Sequence, residues 1–331
     1  MTYIIAEAGL NHNGSIDIAK ELIRVAAESK CNAVKFQKRT IELLATEEIL
    51  NAKDDRFPDF GKTYREIREH HEFSLEEYKS LKELSQHYGL DFIVTPFDTE
   101  AVKFLDKVGV DKFKLASHSL TNIPLLEFIK TFNTPVIMST GMSNIEEVDT
   151  AVSILKDYVD LELMHCISAY PTPEEMHNMN MIDFYKERYS LKVGYSGHEI
   201  GWLPSICAVS KGADSIERHI TLDSKMNGFD HKLSLEPKEL TKMVLDIRSV
   251  EKILGNAIRN VNEIEDITRK KYHVSAVTKK DFKENQIIKM DDLIFKNPGT
   301  GLSYFEAKEL IKNPLKIDVS RDVLLTKKMF K

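Results

Sequence analysis

The feature that most constrains this chain is a repeating alternation, from its first residues to about Gly255, of short β-branched runs with longer amphipathic stretches. Such a pattern builds a parallel sheet covered by helices, because the chain must cross back over the sheet before the next strand can pair in the same direction. The predicted strands are residues 3–7, 33–37, 91–95, 112–115, 136–139, 161–165, 192–196 and 215–219. Helical spacing of apolar residues predicts helices over 16–29, 75–88, 99–107, 123–131, 145–158, 202–211 and 237–254. Ser74-Leu75-Glu76-Glu77 is a Ser-x-x-Glu capping box at one of those starts. A doubly wound open sheet would normally carry G-x-G-x-x-G after its first strand, and none is present. Eight strands point instead to a closed α/β barrel, the (β/α)8 or TIM architecture, over residues 1–255.

Two segments depart from the repeat. Between Lys38 and Ser74 lies a charged insertion with Pro58 and Gly61, too long for a plain βα loop and expected to be a lid or interface arm. Its run 64–72, with His70 and His71, is read as a solvated helix face rather than a second metal site. Residues 256–271 are polar and charged and read as a linker. From about Tyr272 short strands and turns take over, at 273–278, 287–290 and 293–296 with a turn at Lys283-Glu284-Asn285-Gln286, so residues 272–331 form a second, small β-rich domain.

A net charge of -6 offers no basic footprint for nucleic acid and no polybasic arm for a membrane. The first apolar run breaks at Glu7 with no basic residue before it, which reads as a strand and not as a signal peptide, so the expected location is the cytoplasm. Cys31, Cys166 and Cys207 follow no metal-site spacing and are expected to be buried free thiols.

In a barrel of this kind the chemistry gathers at the C-terminal strand ends. The residues there are Glu7, Lys35 with Gln37, Thr95, Lys114 with Ser117, Ser139, His165, Ser196 with His198, and His219. Lys35 and Lys114, with the hydroxyls of Thr95, Ser117, Ser139 and Ser196, make a cradle for a phosphate and a carboxylate, the two anionic groups of phosphoenolpyruvate. His198 and His219 can place two imidazoles on one divalent ion while Glu7 or Asp230 supplies oxygen, a donor set compatible with Mn2+.

The succession Ala6-Glu7-Ala8-Gly9-Leu10-Asn11-His12-Asn13-Gly14, Val34-Lys35-Phe36-Gln37, Thr95-Pro96-Phe97, Lys114-Leu115-Ala116-Ser117, Ser139-Thr140-Gly141-Met142, His165-Cys166, Tyr170-Pro171-Thr172-Pro173, Gly194-Tyr195-Ser196-Gly197-His198, Ile216-Glu217-Arg218-His219 and Asp230-His231 resembles the sialic acid synthase family over essentially the whole chain. The resemblance implies condensation of phosphoenolpyruvate with an open-chain amino sugar to a nine-carbon 2-keto acid. It implies that Lys35, Thr95, Lys114, Ser117, Ser139, Ser168 and Ser196 hold phosphoenolpyruvate, that Glu7, Gln37, Tyr170 and Asp230 face the sugar, and that His198 and His219 bind Mn2+ or another divalent ion such as Mg2+ or Co2+. Glu7, Lys35, Lys114 and Asp230 become the expected catalytic groups. It further implies that residues 272–331 are an antifreeze-like (SAF, β-clip) module and that the protein is a domain-swapped homodimer in which this module lids the partner's barrel.

Two departures bear on the sugar. Where the family's small domain usually reads Lys-Arg-Pro, this chain has Lys296-Asn297-Pro298, so Asn297 takes the place of an arginine directed at the N-acetyl end of the sugar. The acidic residue that often follows the lysine-serine motif is absent from Ser117-His118-Ser119. The expected acceptor is N-acetylmannosamine-like, with a 2,4-diacetamido-6-deoxy hexose, the substrate of legionaminic or pseudaminic acid synthases, as the alternative. A metal-dependent isomerase or aldolase would leave the Lys35 and Lys114 cradle unexplained. A catalytically silent carbohydrate-binding protein would be expected to have lost its histidine pair.

Overall fold

The computed structural model describes residues 1–331 and divides into two units, Met1–Gly255 and Asn256–Lys331. In the first, eight parallel strands close into a barrel in chain order: β1 (Tyr3–Gly9), β2 (Ala33–Lys38), β3 (Asp91–Pro96), β4 (Lys112–Leu115), β5 (Val136–Ser139), β6 (Leu161–Cys166), β7 (Lys192–Gly197) and β8 (Ser215–His219). Direct pairing of β1 with both β2 and β8 closes the ring, with Glu7 opposite Lys35 on one side and His219 on the other.

The period of two along each strand sorts side chains into an outer and an inner set. Ile4, Ala6, Val34, Phe36, Phe92 and Val94 pack outward in the large core beneath the helices. Ile5, Ala33, Ile93, Ile137 and Met164 point inward and form a separate apolar layer inside the barrel. That plug seals the barrel below, so the next inward residues along each strand surround a cavity open only at the C-terminal end.

The helices start where the sequence can satisfy their free N–H groups. Ser74 and Glu77 form the reciprocal capping box, and Asp98 accepts from Ala101 N at 2.7 Å while also accepting from Thr40 N at 2.7 Å. Gly109 ends its helix in the left-handed conformation at φ 74°, where a side chain would be strained. A helix at Met181–Tyr189 was not predicted: Ile182, Tyr185 and Tyr189 do fall at helical spacing, but the segment is short and no side chain caps it. The insertion after β2 folds into short helices Ile41–Leu44, Glu47–Leu50 and Tyr64–His70. Its last helix is not the solvated face that its charge suggested, for Ile67 and His71 are buried.

The second unit holds an antiparallel pair, β9 (Ser275–Thr278) and β10 (Leu293–Lys296), around a core of Ala276, Phe282, Ile288, Leu293, Leu315 and Leu325. The expected turn forms, with Gln286 N donating to Lys283 O at 3.1 Å, but residues 287–290 make no strand. The polar segment read as a linker carries the helix Glu263–Tyr272, capped by Asn262 and Glu265. No helix is long and apolar enough to cross a membrane. Of the three cysteines, Cys31 and Cys166 are buried, whereas Cys207 is exposed and corrects the expectation for that residue.

Candidate active site

A cavity of about 550 Å3 opens at the C-terminal strand ends. It is lined by Glu7, Lys35, Gln37, Thr95, Lys114, Ser117, Ser139, Ser168, Tyr170, Ser196, His198, His219 and Asp230, so the expected site residues of the barrel unit face one space, with the exception of His165. Asn297 belongs to the small unit and is exposed. Lys296 beside it pairs with Asp322.

The floor is a buried charge cluster. Lys35 Nζ lies 3.1 Å from Glu7 Oε2 and 3.3 Å from Glu217 Oε1, and Lys114 Nζ lies 3.9 Å from Glu217 Oε2. Lys114 donates to Ser139 Oγ at 2.6 Å, Lys35 reaches Thr95 Oγ1 at 3.4 Å, and Ser196 donates to Glu217 Oε1 at 3.0 Å. Burial opposes each charge, and the balance differs between the lysines. Glu217 and Glu7 overcome burial at Lys35 and hold its pKa above the ordinary lysine value. At Lys114 burial prevails, Glu217 offsets it only in part, Lys35 adds repulsion, and the pKa falls. The carboxyl of Glu217 is likewise penalised by burial, but Lys114 and Lys35 hold it well below the usual range. The floor thus holds two lysines whose charge is already compensated by Glu7 and Glu217, with rotatable hydroxyls around them. Ser117 accepts from Gly141 N at 3.1 Å, and a Cβ at Gly141 would come within 2.5 Å of Ser168 Oγ and 2.7 Å of Ser117 Oγ, so glycine is required for this close approach.

Above the floor, Gln37 Nε2 donates to Glu7 Oε1 at 2.7 Å. On the far wall the rings of His198 and His219 are 5.5 Å apart, and Tyr170 lies 4.1 Å from His198. His198 Nδ1 faces Ile167 O at 2.9 Å, which leaves Nε2 toward the cavity; burial and the neighbouring His219 depress its pKa to about 3 and keep the ring neutral. His219 Nδ1 is buried without a hydrogen-bond partner, with Asp230 Oδ2 at 3.8 Å. No three histidine, cysteine or carboxylate groups converge on one point. The donor chemistry still fits a divalent ion, since two imidazoles, one with an unsatisfied buried nitrogen, stand beside a carboxylate.

His165 is not part of this site. The inward residues of β6 are Met164 and Cys166, so His165 turns outward and bonds His177 O at 2.6 Å, while Cys166 lines the cavity. Residues missed from the sequence are Glu217, Arg39, Tyr64, Arg68, Phe97, His118 and Phe229. Glu217 and Arg39 could have been found by parity, for they follow Ser215 and the Lys35-Gln37 pair at steps of two. Tyr64 and Arg68 reach the cavity only because the insertion folds over it.

The family model described as NeuB matches residues 22–259. This chain belongs to the NeuB family. Among its relatives, the N,N'-diacetyllegionaminic acid synthase of Campylobacter jejuni is 35% identical over 94% of this chain and 94% of its own length. The human N-acetylneuraminate-9-phosphate synthase is 36% identical over 89% of this chain and 82% of its own. The crystal structure of the N-acetylneuraminic acid synthetase of Leptospira borgpetersenii in complex with citrate superposes with a TM-score of 0.71 at 36% identity, covering 81% of this NeuB-family chain and 90% of that one.

Proposed function

We propose that this NeuB-family protein is a nonulosonic acid synthase, which condenses phosphoenolpyruvate with an open-chain N-acetylmannosamine-like sugar and water to give a nine-carbon 2-keto acid and inorganic phosphate. The observation that carries the reading is the division of one cavity into a floor of two buried ammonium groups with hydroxyl donors and a wall of carboxylate, amide, phenol and imidazole groups. Phosphoenolpyruvate suits the floor, where Lys35, Lys114, Thr95, Ser117, Ser139, Ser168 and Ser196 supply charge and hydrogen-bond donors fixed before the reaction begins.

The sugar suits the wall, with Glu7, Gln37, Tyr170 and Asp230 orienting its hydroxyl and N-acetyl groups. A bond then forms between C3 of phosphoenolpyruvate and the aldehyde carbon, and the aldehyde oxygen takes up a proton. Water adds to the cationic C2 and gives up a proton, and the new hydroxyl then loses its proton as phosphate departs with the bridging oxygen, leaving the ketone. A divalent ion held by His198 and His219 would, when bound, act as a Lewis acid toward the aldehyde. Lys35 and Lys114 stabilise the anionic substrate and the departing phosphate, and Glu7 and Asp230 are placed to hold or move protons beside the sugar. Glu217 keeps the lysines oriented and compensated until the anion arrives.

The homodimer, with residues 272–331 as an antifreeze-like module over the partner's barrel, belongs to this proposal on the strength of the resemblance. Phosphate release from phosphoenolpyruvate tests the reaction: it should require both an amino sugar and a divalent ion. Release indifferent to the sugar would refute the reading.

A further inference from the structure

The mouth of the cavity carries a second pair of cations that the reaction does not use. Arg39 stands one residue past the end of β2, two beyond Gln37 and four beyond Lys35, and at about 3.3 Å per residue its Cα lies roughly 13 Å beyond that of Lys35. Arg68 comes from the helix of the insertion, and both residues line the cavity. Neither guanidinium pairs with a carboxylate. Glu72 is held by Lys38 at 2.6 Å, and Asp54 by Arg56 at 2.6 Å.

The Arg39 backbone N–H donates to Glu72 at 3.2 Å, but what the two guanidinium groups touch is aromatic or neutral. Arg39 lies 3.8 Å over the ring of Phe97, and its Nη2 donates to Gln37 Oε1 at 2.5 Å. Arg68 lies 4.5 Å from the Phe229 ring and 5.0 Å from that of Tyr64. Arg39 is only 6% exposed, yet its Nη1 is buried without an acceptor, as is Nε of Arg68. Burial and the charge of Arg68 lower the Arg39 pKa to about 10, as expected of cations that repel one another across a low-dielectric space. Two guanidinium groups without a direct carboxylate partner and with unused buried donors call for an anion.

We propose that Arg39 and Arg68 bind a phosphate monoester at the terminal carbon of the acceptor, so that the sugar condensed by this protein is a hexosamine 6-phosphate. The inference rests on the synthase reading and deepens it by naming the acceptor class. With the aldehyde end at the His198 wall and phosphoenolpyruvate on the lysine floor, the far end of an open-chain hexose points to the mouth. The guanidinium forks there match the several oxygens of a dianionic phosphate. A 6-deoxy hexose has no group to offer them.

The test compares N-acetylmannosamine, its 6-phosphate and a 2,4-diacetamido-6-deoxy hexose as acceptors for the full-length protein with Mn2+. The 6-phosphate should exceed both others at least a hundredfold in kcat/KM. Arg68→Gln should cut that preference tenfold or more, chiefly through KM for the phosphorylated sugar, and Arg68→Lys should restore part of it. Calorimetric binding of the 6-phosphate sugar, measured without phosphoenolpyruvate, should weaken in parallel, and circular dichroism verifies that each variant is folded. A preference for either unphosphorylated sugar would overturn the inference and leave the synthase reading standing. So would an Arg68→Gln effect confined to KM for phosphoenolpyruvate, or equal losses for all sugars with a change in oligomeric state. Turnover with none of the three would count against the synthase reading itself.

Discussion

Glu217 Oε1 lies 3.3 Å from Lys35 Nζ, while Oε2 of the same carboxylate lies 3.9 Å from Lys114 Nζ, so one group on β8 serves two buried ammonium ions on β2 and β4. Removing one partner of a buried ion cluster costs about 3–5 kcal/mol, because the remaining charge stays desolvated and unpaired. Glu217→Gln should therefore lower stability by about 3 kcal/mol in urea unfolding at neutral pH. Millimolar inorganic phosphate should recover part of that loss by binding the folded state. Unchanged stability would show that the lysines do not depend on Glu217.

A second prediction concerns acid. Burial, with His71 and Arg39 close by, takes the pKa of His12 down to about 3; burial, opposed only in part by the bond to Ile67 O, takes His71 to about 4. Both folded values lie below the unfolded value of about 6.5, so the unfolded chain takes up protons first as the pH falls. The stability these rings contribute is complete above pH of about 6.5 and is lost on descent toward 4, at up to about 1.4 kcal/mol per pH unit for each. Urea midpoints should fall steadily over that window, and His71→Phe should flatten the slope. An unchanged slope would contradict this account of the histidine cluster.

The metal prediction follows from the unsatisfied Nδ1 of His219 and the neutral ring of His198. Chelation should abolish turnover and Mn2+ should restore it. His198→Ala and His219→Ala should remove activity with the circular dichroism spectrum intact. Full turnover in metal-free buffer would refute the assignment.

Deleting residues 272–331 tests the role given to the small unit. The barrel unit has its own continuous core and should remain folded, whereas loss of a lid that excludes water costs turnover far more than stability. Undiminished condensation by the truncated protein would remove that role.

The barrel was legible because its strands are distinct apolar runs and most of its helices are amphipathic. The mouth was legible as far as polar residues end those runs. His165 and Cys166 mark where that approach failed: a residue at the end of a strand faces the cavity only if its parity matches the inward set, and on β6 the cysteine has it. Arg68 was illegible for another reason, since the insertion's fold, and not its local pattern, carries that side chain over the barrel. The helix Glu263–Tyr272 escaped because its polar sequence lacks a buried face and forms from capping and local charge pairs such as Asp266 with Lys270.

The central claim is that phosphoenolpyruvate loses phosphate by cleavage of its C–O bond after joining a sugar on the Lys35 and Lys114 floor. Phosphoenolpyruvate carrying a heavy-oxygen label in the bridging position reports this directly by mass spectrometry. The account predicts that the label leaves with inorganic phosphate, in step with formation of a nine-carbon keto acid, and only when an amino sugar and a divalent ion are present. Label retained in the organic product, or phosphate released without sugar, would contradict it.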